Sequence, residues 1–124
     1  MKKFLEINED NIFEKDLVNR WISECHNSLR PCIVVYYHDD LAHISANISH
    51  LLNLNKTVLQ EELNRIDQDF FMLGIDHFHS SLHFWKVNNY KFTFDDIPRD
   101  KATVAAHQIY DILERRIRDL ELNK

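Results

Sequence analysis

The sequence predicts an α+β domain, and three observations carry that expectation. Residues 32–37 (CIVVYY) form a continuous β-branched and aromatic run, the composition of a strand covered on both faces. Two short alternating segments flank Asn88-Asn89, and asparagine tolerates the left-handed conformation that a two-residue hairpin turn needs. Long stretches repeat apolar residues every three or four positions, most plainly Ala105, Ile109, Ile112, Leu113, Ile117 and Leu120, as amphipathic helices do. With 124 residues, 44% hydrophobic and 28% charged, there is enough material for one core. Residues 1–124 are therefore read as a single domain.

Taken in order, residues 3–7 read as a short strand. Asn8, Asp10 and Asn11 can cap a helix over 12–28, with Phe13, Leu17, Val18, Trp21, Ile22 and Cys25 on one broad stripe. Pro31 ends that helix, and the strand 32–37 follows. Asp39 and Asp40 then read as the cap of a second helix, because Leu41, Ile44, Ile48, Leu51 and Leu52 recur at three and four residues. Residues 53–56 read as a turn, and 57–66 as a shorter helix carrying Val58, Leu59, Leu63 and Ile66. Residues 70–78, 82–87 and 90–94 read as three strands of an antiparallel β-meander. Pro98 and Asp100 open a long C-terminal helix. The expected order is β-α-β-α-α-β-β-β-α.

Composition removes several classes of function. Gly74 is the only glycine, whereas phosphate-cradling loops, nucleophile elbows and dinucleotide fingerprints need glycine wherever backbone closely approaches a ligand. Cys25 and Cys32 lack the second Cys or His pair of a structural zinc site. Nothing at the N-terminus reads as an export signal, so the thiols are expected reduced and buried in a cytoplasmic protein. No run approaches the roughly 18 apolar residues of a membrane span. No cofactor is expected, and no serine or cysteine sits in a recognisable nucleophile setting.

Charge is distributed unevenly. Residues 38–85 hold seven acids (Asp39, Asp40, Glu61, Glu62, Asp67, Asp69, Asp76) against Lys56 and Arg65, and most of the net charge of −5 arises there. A solvated acidic surface explains this in the ordinary way. The sharper reading is a face for a basic protein partner, with Glu61, Glu62, Asp67, Asp69 and Asp76 as contacts and Phe71 or Trp85 as an apolar anchor. A nuclease must carry cations to hold phosphates, so carboxylates presented to that cleft compete for it. Small size, an acidic and aromatic segment, and no complete catalytic motif together suggest a non-enzymatic immunity-protein or antitoxin-type inhibitor of a basic toxin.

Two other readings stand beside it. Residues 48–66 look like a helix-turn-helix, with Ile48, Leu52, Leu54, Leu59, Leu63 and Ile66 spaced to pack two helices and Asn53 where glycine is usual. That reading would use Asn55, Lys56, Thr57 and Gln60 on DNA and dimerise near Arg115, Arg116 and Arg118. Glu61 and Glu62 on the exposed face would repel phosphates, so nucleic acid is the less favoured partner. The other reading is a metal site. His77 and His79 would share a strand face, with His38 or His43 as a further ligand. An HxH pair alone is also what a half-exposed polar strand carries. Oligomeric state is open.

Overall fold

A computed structural model of the chain describes residues 3–8, 15–47, 54–77, 85–88 and 91–122. The elements are β1 (Leu5–Asn8), α1 (Lys15–Asn27), β2 (Cys32–His38), β3 (Leu41–Asn47), α2 (Lys56–His77), β4 (Trp85–Asn88), β5 (Lys91–Pro98), a 3-10 turn (Arg99–Lys101) and α3 (Ala102–Leu122). They form one five-stranded sheet in the order β1-β2-β3-β5-β4. β1 runs parallel to β2, and the other pairs are antiparallel. The fold class is α+β, as expected, with the long C-terminal helix in place.

Alternation along β2 builds a layered structure. Ile33, Val35 and Tyr37 point to the larger core, where they meet Ile66 and Phe70 of α2 and Ala105, Ala106, Ile109 and Leu113 of α3. Cys32 and Val34 point the other way, into a smaller cluster with Ile7 and with Trp21 and Cys25 of α1. Both faces of this strand are therefore covered, which is why it reads as unbroken apolar sequence. Trp21 Nε1 donates to the Ile33 carbonyl at 3.2 Å, fixing α1 to the sheet. The Arg30 guanidinium lies over the rings of Trp21 (5.4 Å) and Tyr110 (5.9 Å), joining α1's end to α3.

Two expected elements differ. The segment expected to begin a second helix is strand β3, paired with β2 through a two-residue turn at Asp39-Asp40. Asp39 takes φ 53, so it serves the turn rather than a helix cap. Along β3 the buried residues are Ala42, Ile44 and Ala46, a period of two that tertiary pairing imposes. The stretch 70–78, expected as a strand, instead continues α2 as far as His77, and residue 78 lies outside the described residues. The hairpin is present, but Asn88, expected in its turn, belongs to β4 and pairs with Lys91, and the register runs on to Trp85↔Phe94. Positions 9–14, 48–53, 78–84 and 89–90, and with them the helix cap at Asp10 and Asn11, lie outside the described residues.

Only one glycine is available, so left-handed positions fall to other residues. Among the described residues Leu29, Asp39 and Asp96 take positive φ. Asp96 belongs to a β-bulge: Ala42 pairs with Ile97 and Ile44 with Phe94, so Asp95 and Asp96 both face His43. No helix among the described residues is long and apolar enough to cross a membrane.

Candidate functional site

Helix α2 begins at a well-formed cap. Asn55 Oδ1 accepts the Val58 N–H at 2.9 Å, and its carbonyl accepts the Leu59 N–H at 2.9 Å. One side of α2 carries Leu59, Glu62, Leu63, Ile66 and Phe70 toward the core. The opposite side presents Gln60, Glu61, Asn64, Arg65, Gln68, Phe71 and Met72 to solvent. Phe71 and Met72 stand side by side at 47% and 49% exposure. Asp67 lies one turn before Phe71, and Asp69 three residues before Met72, so each carboxylate neighbours an exposed apolar side chain. Both are partly exposed. Burial pushes the Asp67 carboxyl above its ordinary range.

This arrangement brings together three of the sequence-nominated contacts, Asp67, Asp69 and Phe71, with Glu61 exposed nearly two turns earlier. Glu62 is a correction. It is only 2% exposed, and Arg116 of α3 takes both its oxygens, Nε to Oε1 at 2.5 Å and Nη2 to Oε2 at 2.9 Å. Arg116 also reaches Asp119 Oδ2 at 3.1 Å. The hydrogen bond to Glu62 raises the Arg116 pKa, against the opposing effect of burial, and Glu62, Asp119 and Asp69 add attraction. Glu62 is therefore a joint between helices and presents nothing to a partner. Asp76 falls in the last turn of α2 and Trp85 opens β4; their side chains lie outside the described portion.

Met72 was not nominated, because a strand reading of 70–78 hides that it adjoins Phe71 on the outside of a helix. Of the helix-turn-helix reading over 48–66, residues 48–53 lie outside the described residues, and its second helix is the start of α2, which runs on to His77. Asn55, Lys56, Thr57 and Gln60 do open a helix, but Arg116 is committed to Glu62. Arg118 pairs with Glu114 at 2.6 Å, and Arg115 is exposed.

Of the four histidines weighed as ligands, His38 and His43 are described in full. His77 closes helix α2 instead of lying in a strand, and His79 lies outside the described residues. His38 ends β2, with Nε2 3.6 Å from Asp39 Oδ2. His43 sits in β3 with Nδ1 against Asp95 Oδ1, and its ring meets Tyr36 edge-on at 6.2 Å. Among the described residues no group of three or more His, Cys, Asp or Glu is arranged to hold a metal ion. His43, Ser45 and Asn47 share a face of the sheet with Lys91, Thr93 and Asp95, since the registers pair Ser45 with Thr93 and Asn47 with Lys91. That face is polar and partly exposed, on the side where α1 covers β1 and β2.

The described residues thus define an α+β domain in which one helix exposes an apolar pair beside carboxylates. Comparison with family models, curated proteins and solved structures finds no match.

Proposed function

We propose that the chain is a small protein-binding module of the immunity-protein or antitoxin kind, which neutralises a basic toxin such as a nuclease by seating the outer side of α2 in its cationic cleft. One observation carries this reading: Phe71 and Met72, about half exposed, lie within one turn of Asp67 and Asp69. Apolar surface removed from water contributes about 25 cal/mol per Å². An aromatic and a methionine at the centre of a contact therefore supply affinity. The carboxylates beside them supply orientation and a fast encounter with a cationic surface. Phe70 and the Glu62–Arg116 pair hold the helix rigidly beneath that surface, so little ordering remains to be done on binding.

The test uses the tagged chain as bait, with wild type, Phe71→Ala and an Asp67→Lys/Asp69→Lys double variant compared in parallel. A basic protein retained by wild type at low salt, weakened at least tenfold by each variant and whose activity the wild-type chain suppresses, is the expected result. Retention of that protein with unchanged affinity by both variants would place the interface elsewhere. Recovery of nucleic acid in place of a protein would overturn the reading.

A further inference from the structure

Cys25 lies in the last turn of α1, and Cys32 is the first residue of β2. Both are free and buried, at 0% and 5% exposure. They share the smaller core cluster with Ile7, Trp21 and Val34. The chain reverses tightly between them. Ser28 N–H donates to the Glu24 carbonyl at 3.1 Å and Arg30 N–H to the Cys25 carbonyl at 3.1 Å, while Leu29 takes φ 51 to make the turn. This reversal places both side chains in the same small buried cluster, where each thiol perturbs the ionisation of the other. A disulfide requires thiols on backbones close enough to rotate into bonding distance, and the two cysteines flank one tight turn and share one buried cluster.

We propose that Cys25 and Cys32 form a reversible intramolecular disulfide, a redox-responsive staple that ties the end of α1 to the start of β2. The two sulfurs are not equivalent. The hydrogen bond from Cys32 and the nearby Arg30 guanidinium favour the thiolate of Cys25 against the effect of burial, so its pKa is lowered. The Cys32 thiol is pushed well up, chiefly by that same hydrogen bond and by burial. Cys25 is therefore the attacking sulfur and Cys32 the resolving one. With a peroxide as oxidant, the Cys25 thiolate attacks one peroxide oxygen, the O–O bond breaks, and after protonation sulfenic acid and one water result. The Cys32 sulfur then attacks the sulfenyl sulfur, its proton leaves with the departing hydroxide as a second water, and the S–S bond forms. The staple ties α1 to the sheet at the smaller of the two core clusters.

The test treats the folded, full-length chain with hydrogen peroxide and follows intact mass and thiol alkylation in denaturant. The expected product is monomeric, about 2 Da lighter through loss of two hydrogens, closed to alkylation, and restored by dithiothreitol. Its Tm is expected to exceed that of the reduced chain by about 5–10 °C, because a short loop is closed in the unfolded state. In a Cys32→Ala variant the mass loss should vanish and a dimedone adduct should appear at Cys25. Two thiols still open to alkylation after peroxide treatment, dimers linked through sulfur, or oxygen added without loss of hydrogen would each overturn the proposal.

Discussion

Arg116 of α3 grips Glu62 of α2 through two roughly parallel N–H···O bonds, and this pair is the polar joint in an otherwise apolar contact between the helices. A carboxylate so deeply buried is tolerated only because both its oxygens are engaged. Removing one partner strands the other charge. Arg116→Ala is expected to lower stability by about 3–5 kcal/mol in urea denaturation, with Glu62→Ala similar. The double replacement Glu62→Leu/Arg116→Met should lose far less than the sum, because no buried charge remains. A strictly additive double-mutant cycle would show that the pair is not coupled.

Adjacent residues on α2 should behave in opposite ways. Phe70 is fully buried and meets Phe92 and Phe94 edge-on, with both ring centroids at 5.1 Å. Phe70→Ala is expected to cost about 3–5 kcal/mol through lost transfer energy and a cavity. Phe71, outside the core, should change stability by about 0.5 kcal/mol or less when truncated. On the proposed reading its effect falls on partner affinity instead. Comparing the urea midpoints of the two variants checks the orientation of the whole helix, because a rotation of one residue position would exchange the two results.

The bulge in β5 makes a separate prediction. Asp96 holds φ 57, a conformation that costs an ordinary L-residue about 1–2 kcal/mol and glycine nothing. Asp96→Gly should therefore leave stability within about 0.5 kcal/mol, the relieved strain offsetting the greater freedom of glycine in the unfolded chain. Asp96→Val should lower it by about 1–2 kcal/mol, since a β-branched side chain is least tolerant of positive φ. Thermal melts of the two variants decide the matter. Equal losses would mean that the left-handed geometry is not what the site requires.

These residues also show what could be read from sequence and what could not. Strand β2 was legible because both its faces are covered, so burial and hydrophobicity coincide at every position from Cys32 to Val35. Strand β3 was not, because two of its three buried positions are Ala42 and Ala46, which carry little apolar signal, while Leu41 is 41% exposed. The eye then joins Leu41, Ile44 and Ile48 at helical spacing. On α2 the core row runs Leu59, Glu62, Leu63, Ile66, Phe70, and a buried acid in its midst breaks the stripe. Nothing local in the sequence announces that Arg116, 54 residues away, neutralises Glu62. The same gap made Glu62 look like a surface contact. Asp67, Asp69 and Phe71, nominated from charge and aromatic content alone, do reach solvent, but on a helix that the sequence reading ended at Ile66.

Asp67 offers a way to separate stability from binding. Burial disfavours its ionised form, so its pKa in the folded chain lies above the value of about 3.9 in the unfolded chain. Between those two values the folded state holds the proton more firmly, and stability falls as pH rises through the interval. The penalty is complete above the folded pKa and absent below the unfolded one. Asp67→Asn removes the ionisation, so it should raise the denaturation midpoint at pH 7 and leave it nearly unchanged at pH 3. If Asp67 also faces a basic partner, the same variant should bind that partner more weakly at pH 7 while being the more stable protein. A variant less stable at pH 7 would mean that the carboxylate is held by a favourable contact rather than penalised by burial. Equal binding with raised stability would leave the burial argument standing and remove Asp67 from the interface.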